Sequence, residues 1–201
     1  KLLDYYFNCI RDNDQHLVSI LDELDNLGLT DKTIIVFTAD HGELGGAHQM
    51  HGKGSSVYKE QIHVPMIIRH PAYPGNVRCD SLTCHLDLVP TLVGLTGCDE
   101  NKRQKVLSGR KGKDMSVLLS GPEKASVHQL RDSSLYCYGM IGYSDATFMR
   151  RFRALAAKKL PHEEFKQALA KIHPDFHHRA GIRMINDGQY KFARYFSLKQ
   201  H

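Results

Sequence analysis

The stretch that most constrains the fold is "TIIVFTADHGELGG", at residues 33–46. Thr33 to Ala39 are β-branched, aromatic or otherwise apolar nearly throughout, which predicts a strand buried on both faces, as in a parallel sheet. Asp40 and His41 follow at its end, and Gly42 then lets the backbone leave the sheet. Because ligands bind beyond the carboxyl ends of strands in open α/β sheets, this strand end is the first candidate for a functional site.

Asp40 and His41 are a pair whose chemistry suits a metal ion. Adjacent strand residues face opposite sides of a sheet, but a turn that begins at Gly42 can bring both side chains together. Carboxylate oxygen favours calcium, magnesium or manganese, and imidazole nitrogen shifts the preference toward manganese or zinc. The alternative is structural: His41 forms a hydrogen bond in the core, and Asp40 caps the next turn.

A long glycine-rich loop, "GELGGAHQMHGKGSSVYK" at residues 42–59, supplies further candidates. A loop of this length inside a compact domain is usually functional or disordered. Lys53 lies between two glycines and offers a compact positive charge with three donors, which suits the oxygens of a tetrahedral oxyanion. Either His48 or His51 can protonate a leaving alkoxide, and the alternative for both is an unbonded surface histidine.

Helix and strand signals on either side of this loop predict an α/β domain. Apolar residues at three- and four-residue spacing predict an amphipathic helix over 2–27, with Gly28 at its carboxyl-terminal cap. A second buried strand is expected around Met66 to Ile68, and Tyr58 and Glu60 are expected to anchor the return of the loop to the sheet.

The second half of the chain shows weaker patterns. Residues 85–97 predict a helix in which Asp87 is an N-cap or first-turn acid, and residues 99–113 predict a basic loop. A smaller α+β region with antiparallel strands is expected over 115–201. Its signals are strand composition over 133–144, one or two helices broken at Pro161, and a hairpin around Asp187-Gly188.

Composition limits the classes of function. With 201 residues, 41% of them hydrophobic, the chain suits one soluble globular domain, with or without a small appendage. No apolar run approaches the roughly 20 residues of a membrane span, and the basic segments lack the interleaved aromatics of a nucleic-acid site. Neither a membrane nor nucleic acid is therefore expected as a partner. The net charge of +5 favours anionic substrates, while oligomeric state and compartment, cytoplasmic or periplasmic, stay open.

The segment "TADHGELGGAHQMHGKGSSVYKEQIHVPMIIRHP" resembles the second signature region of the type I sulfatases, members of the alkaline phosphatase superfamily. "HLDLVPTLVGLTG", "KGKDMSVLLSG" and "DGQYKFARYF" resemble later segments of that family. The resemblance implies an alkaline-phosphatase-like α/β sandwich with a mostly parallel sheet. Residues 1–114 would be the carboxyl-terminal half of its catalytic domain, and 115–201 its small α+β subdomain with antiparallel strands.

The resemblance also implies roles for the candidate residues. Asp40 and His41 match two ligands of one divalent metal ion, calcium or manganese, and Lys53 matches the lysine that contacts the sulfate group. With the loop histidines added, Lys53 and His51 are the expected catalytic residues, and Lys53 and His48 the expected substrate contacts. The implied reaction is hydrolysis of a small anionic sulfate ester; the alternative is a phosphonate or phosphate ester.

One part of the family's pattern is missing from the chain. Type I sulfatases carry a nucleophile, formylglycine, made from the cysteine of an upstream Cys-x-Pro/Ala-x-Arg motif, and none of the five cysteines fits it. The opening residues "KLLDYYFNCI" also resemble the interior of a helix. We therefore expect a carboxyl-terminal portion of a sulfatase that is inactive alone, or, as a further alternative, a truncated non-catalytic product.

Overall fold

The computed structural model describes residues 2–139 and 145–199 of the chain. The helices are α1 (Leu2–Asn26), α2 (Lys59–Ile62), α3 (Leu88–Leu95), α4 (Glu100–Leu107), α5 (Ala146–Ala156) and α6 (His162–Leu169). The strands are β1 (Ile35–Thr38), β2 (Met66–Arg69), β3 (Ser134–Gly139), β4 (Gly181–Asn186) and β5 (Lys191–Phe196). Within these ranges, no helix has both the length and the apolar composition that crossing a membrane requires.

The chain divides into two compact units. The first contains residues 1–53 and 58–134, and the second contains residues 54–57 and 135–201. Residues after 114 contribute to the first unit, because Met115, Leu118 and Leu130 form its buried apolar core. The division at 114 that the family resemblance implies concerns a catalytic domain and its subdomain, and it stays a prediction.

Helix α1 forms where the apolar spacing predicts it. The helix ends at Asn26, and Gly28 then takes a φ of 63°, the left-handed conformation expected of a carboxyl-terminal cap. No residue of α1 is buried, and large apolar side chains such as Phe7 are 61% exposed. The apolar face predicted from the sequence is therefore present, but it is exposed to solvent in this chain.

Strands β1 and β2 lie close to their predicted positions but pair in the opposite sense. Ile35 lies opposite Arg69 and Thr38 opposite Met66, which makes the pair antiparallel. The expectation of a parallel neighbour and two covered faces is wrong for β1, whose Phe37 is 37% exposed. The long segment between the strands returns to the end that it left, where the N–H of Gly42 donates to the carbonyl of Gln61, and β2 therefore runs back along β1.

Helix α4 is a correction to the basic loop predicted over 99–113. The Asp99 carboxylate accepts a hydrogen bond of 2.9 Å from the backbone N–H of Lys102 and so caps the helix. The Gln104 side chain donates to Glu100 one turn earlier, at 3.1 Å. The helix is almost entirely polar, so it lacks the apolar periodicity from which a helix is predicted.

Asp87 is the buried centre of the polar contacts in the first unit, and its side chain is 0% exposed. It is the first-turn acid that the sequence predicts, because it accepts from the backbone N–H of Cys84 at 2.8 Å in a capping box. It also accepts from the backbone N–H of Lys113 at 2.7 Å and pairs with the guanidinium of Arg131. One carboxylate thereby joins three separate segments.

Replacing Asp87 by Ala should destabilise the protein strongly. Removing one partner of a buried ion pair costs about 3–5 kcal/mol, because Arg131 and two backbone N–H groups would lose their acceptor. Chemical denaturation of the full-length protein measures this free energy of unfolding. Asp80, which pairs with Arg78 on the surface, is the control, and Asp80→Ala should cost less than about 1 kcal/mol. Equal losses would contradict the central role of Asp87.

The second unit has a three-stranded sheet in the order β3-β4-β5. The hairpin predicted around Asp187-Gly188 is confirmed: β4 and β5 are antiparallel, and Gly188 has a φ of 94°. The helical break at Pro161 is also confirmed, since α6 begins directly after it. Strand β3 covers the first part of the strand composition seen at 133–144, and residues 140–144 lie outside the described residues.

Asp145 begins α5 and ties it to a distant segment. Its side chain is 5% exposed, and its two oxygens accept from the backbone N–H groups of Phe148 at 2.9 Å and Asp175 at 2.8 Å. The hydrogen bond from Asp175 and then that from Phe148 hold the pKa of the Asp145 carboxyl below its ordinary value, because both stabilise the charged form.

The low pKa of Asp145 predicts a stability that depends on pH. A carboxyl whose pKa is lower in the folded state stabilises the fold above its unfolded pKa of about 3.9 and loses that effect as the pH falls through the folded pKa. Asp145→Ala should therefore lower the thermal midpoint at neutral pH, and the difference from wild type should narrow below about pH 4. The exposed Asp132→Ala is the control, and a difference that stays constant with pH would refute the prediction.

Candidate active site

The loop after β1 is closed by a residue that the sequence analysis did not single out. The Glu43 carboxylate accepts hydrogen bonds from the backbone N–H groups of Gly45 at 3.1 Å and Gly52 at 2.5 Å. The backbone N–H of Leu44 donates to the carbonyl of Gly52 at 3.1 Å, and the Leu44 side chain is buried. The loop is thus an ordered ring, and the only sequence signal for it is an acid beside several glycines.

His41 is held in one tautomer by the backbone. Its Nδ1 lies 2.9 Å from the carbonyl oxygen of Gly42, and since a carbonyl only accepts, Nδ1 must carry the proton. The neutral ring therefore has its lone pair on Nε2. Such a hydrogen bond from one ring nitrogen commonly sets which nitrogen is available to a metal.

Asp40 and Lys53 both approach the Nε2 atom of His41. The Oδ2 atom of Asp40 lies 3.5 Å from Nε2, and the Nζ atom of Lys53 lies 2.7 Å from it. The other carboxylate oxygen of Asp40 accepts from the backbone N–H of His41 at 2.9 Å, which fixes the orientation of the carboxylate. The structure therefore brings together the carboxylate, the imidazole and the ammonium group at the end of β1.

The position of this strand end depends on a close backbone approach at Gly42. Its N–H donates to the carbonyl of Gln61 at 2.7 Å. A Cβ atom at residue 42 would lie 1.9 Å from the carbonyl oxygen of Glu60, so only glycine fits against residues 60–61, the returning segment that leads the chain back toward β2. Gln61 in this returning segment is 4% exposed and thus firmly packed.

His48 is bound to the returning segment. Its ring stacks on Tyr58, with centroids 3.7 Å apart and planes at 18°, and its Nε2 lies 3.4 Å from a Glu60 carboxylate oxygen. Tyr58 and Glu60 thus contact the loop, as expected for residues that anchor its return.

The backbone of the loop is left-handed at four positions: Gly45 (φ 55°), Gly46 (φ 99°), His48 (φ 55°) and Gln49 (φ 60°).

His51 is exposed, and its ring lies over Gly46. Across the part of the chain that the structure describes, neither His48 nor His51 forms a hydrogen bond or ion pair with Lys53 or with the Asp40-His41 pair. The predicted site residues therefore fall into two groups: three that converge at the strand end, and two histidines elsewhere on the same loop.

A metal ion at this place would find two donors in this chain, a carboxylate oxygen and an imidazole nitrogen. Among the described residues, no group of three or more histidine, cysteine, aspartate or glutamate side chains could hold one. The oxygen and nitrogen donors of Asp40 and His41 fit a divalent cation chemically, and the fixed tautomer leaves the correct nitrogen free of a proton.

Cys84 is not suited to supply a nucleophile for this site. All five cysteines are free thiols, and Cys84 is partly buried beside Asp87. Burial raises the pKa of the Cys84 thiol, and the neighbouring Asp87 carboxylate raises it further. A raised pKa keeps the thiol protonated at neutral pH and therefore unreactive.

Residues 1–98 match the sulfatase family model, and this segment contains the whole strand end and its loop. The first 98 residues are therefore similar to the sulfatases. Arylsulfatase K of Bos taurus is 34% identical over 93 residues, 46% of this chain and 17% of that protein. The ulvan-active sulfatase of Formosa agariphila is 32% identical over 129 residues, 61% of this chain and 23% of that protein. The chain thus spans less than a quarter of the length of these curated sulfatases.

A likeness of fold alone extends over nearly the whole chain. The solved phosphonate monoester hydrolase of Agrobacterium radiobacter superposes with a TM-score of 0.67, at 24% identity, over 97% of this chain and 34% of that one. The expected α/β class with a small antiparallel carboxyl-terminal sheet is therefore confirmed. The similarity to the sulfatase family generally implies a metal ion and a formylglycine in the complete site.

Gly42→Ala should damage the candidate site from the backbone. The new methyl group would collide with the Glu60 carbonyl, so the end of β1 must shift, at a cost of about 1–3 kcal/mol in the free energy of unfolding. Chemical denaturation of the full-length protein would show this loss. Gly75→Ala is the matched control, because nothing lies within 4 Å of its added Cβ. The close approach is refuted if both variants are equally stable.

Proposed function

We propose that the full-length protein carrying this chain is a metal-dependent hydrolase of sulfate esters. The observation that carries the proposal is the convergence of Asp40, His41 and Lys53 within residues that match the sulfatase family model. A carboxylate, an imidazole lone pair and an ammonium group together suit a cation and an anion bound side by side.

Asp40 and His41 are the proposed metal ligands. We favour calcium or manganese, because a carboxylate suits either ion and the imidazole nitrogen suits manganese. A bound divalent cation supplies charge that stabilises the oxygens of the transferring sulfuryl group. The hydrogen bond from Nδ1 to the Gly42 carbonyl orients the ring for this role.

Lys53 is the proposed contact to the sulfate group. Its side chain extends from an exposed glycine-flanked position, and its ammonium group already lies beside the two proposed ligands. An ammonium donor placed where negative charge develops lowers the barrier, and losing one such donor typically costs about 100–1,000-fold in rate. A metal ion bound to His41 Nε2 would replace the hydrogen bond from Nζ to that nitrogen, which would free the ammonium group of Lys53 to contact the sulfate oxygens.

His51 is the proposed proton donor and His48 a proposed substrate contact, and different observations support the two roles. His51 is exposed and forms no hydrogen bond or ion pair with another described residue, which leaves its ring available to donate a proton to a leaving group. His48 is proposed as a substrate contact, and its stack on Tyr58 and its approach to Glu60 would hold the ring in position for that role.

The nucleophile is proposed to come from another part of the protein. In type I sulfatases the hydrated aldehyde of formylglycine supplies the attacking oxygen, and no cysteine here lies in the motif that produces it. We therefore expect no turnover from the isolated 201-residue chain.

The substrate is proposed to be a sulfate ester with an aryl or alkyl group. One relative is named for its action on ulvan, so ulvan is included with small aryl sulfates among the substrates to test. A phosphonate or phosphate ester is the second candidate, supported by the fold shared with a phosphonate monoester hydrolase. Both kinds of ester are tetrahedral anions, which the three converging residues would accommodate similarly.

Asp40→Asn in the full-length protein tests the proposal directly. The amide keeps the shape of the carboxylate but loses its charge, so metal content should fall and kcat/KM for a chromogenic aryl sulfate should drop at least about 100-fold. Metal analysis and initial rates on an aryl sulfate, a phosphonate monoester and ulvan give the readouts.

The control for this experiment is Asp12→Asn, an exposed aspartate in the middle of α1, which should leave both readouts unchanged. Unchanged metal content and rate in Asp40→Asn would overturn the metal site. Faster turnover of the phosphonate than of any sulfate would replace the sulfatase activity by the second candidate. No hydrolysis of any ester by the wild-type protein would support a non-catalytic product.

A further inference from the structure

The cations of the second unit are concentrated in its helical pair, α5 and α6, with the segments that join and follow them. Residues 146–172 contain seven lysines and arginines but two glutamates, a net charge of +5 that equals that of the whole chain. The cations are Arg150, Arg151, Arg153, Lys158, Lys159, Lys166 and Lys171. The rest of the chain is therefore neutral on balance.

These seven cations have no anionic partner within the described residues. The ion pairs of lysine and arginine that the structure shows lie in the first unit, at Asp31–Arg69, Arg78–Asp80, Asp99–Lys102, Arg103–Asp114 and Asp87–Arg131. Clustered like charges repel one another and destabilise a fold slightly. A surface that concentrates unpaired cations is therefore suited to an external anion.

The apolar side chains of the helical pair are used for packing. The rings of Phe152 and Phe165 meet edge to face across the two helices, with centroids 6.4 Å apart, and Phe148 stacks on Phe152 at 6.2 Å. Leu155 is 6% exposed. A helix that binds a membrane surface needs an apolar face that is exposed to solvent. In α5 and α6 the aromatic side chains pack against each other instead.

A groove of about 470 Å³ runs between the two helices. Arg151, Lys158 and Lys171 line it together with Leu155, Ala168 and Ile172. Glu164 is the one acidic residue in the lining, and no aromatic residue is present. A single-stranded nucleic acid binds through bases stacked on aromatic side chains, which this groove does not offer.

We propose that this groove is a binding site for a linear sulfated polysaccharide. Guanidinium and ammonium groups on both sides would pair with sulfate groups along the polymer, whose sugar chain would lie in the groove between them. The choice of sulfate rather than another anion rests on the proposed function. The site is made by α5, α6 and their flanking residues, and it uses none of the residues proposed for hydrolysis.

The test uses the full-length protein and heparin as the probe. The triple variant Arg151→Gln, Lys158→Gln and Lys171→Gln removes the three rim charges, and at Arg151, which lies in α5, glutamine has a similar helix propensity. Its affinity for heparin should fall about tenfold or more, because three ion pairs of about 0.5 kcal/mol each are lost. The dependence of affinity on salt should also weaken, since fewer counterions are released.

The matched control removes the same charge elsewhere. Lys32, Lys105 and Lys124 are exposed and form no ion pair among the described residues, so their triple glutamine variant should bind heparin within about threefold of wild type. Equal losses in the two triple variants would show a general charge effect and overturn the groove. No loss in the groove variant would overturn it as well.

Competitor probes separate this proposal from other polyanion sites and from the proposed function. Desulfated heparin, a single-stranded oligonucleotide and phosphatidylserine vesicles should all bind more weakly than heparin, and tighter binding of any of them would overturn the polysaccharide. Hydrolysis of a small aryl sulfate should be unchanged in the groove variant. If wild type hydrolyses no sulfate but binds heparin through the groove, the hydrolase proposal fails while the binding site stands.

Discussion

The candidate site depends on one backbone contact, the approach of the Glu60–Gln61 segment to Gly42. A hydrogen bond of 2.7 Å and the absence of a side chain at residue 42 let the returning chain touch the end of β1. That contact fixes where the strand stops, and it therefore sets the direction in which Asp40 and His41 project. The same return produces the antiparallel pairing of β1 with β2. Strand register and site geometry thus have one cause.

Much of the fold follows from local sequence signals. Helix α1, the break at Pro161 and the Asp187-Gly188 hairpin depend on apolar spacing, proline and glycine, whose effects are local. Two features could not be predicted in this way. Helix α4 is held by a cap and polar pairs without an apolar face, and the pairing of β1 depends on the path of a long loop. Neither leaves a periodic pattern in the sequence.

The candidate site shows the same division. The convergence of Asp40, His41 and Lys53 was expected from a strand end, a turn and a glycine-flanked lysine, and the contacts in the structure agree with it. Glu43 was not predicted, because it accepts hydrogen bonds from the backbone N–H groups of Gly45 and Gly52, two and nine residues further along the chain. An acid beside several glycines is too common a pattern to mark such a closure. The engagement of His48 with Tyr58 likewise depends on how the loop folds.

The left-handed backbone at His48 restricts what that position can become. An L-residue with a side chain costs about 1–2 kcal/mol in this conformation, and glycine would avoid that cost. A mutation to glycine would therefore make the loop easier to fold while deleting an aromatic ring, and a β-branched residue would be excluded. Histidine at this position therefore combines a strained backbone with a ring that packs on Tyr58, and no single substitution removes the strain and keeps the stacked ring.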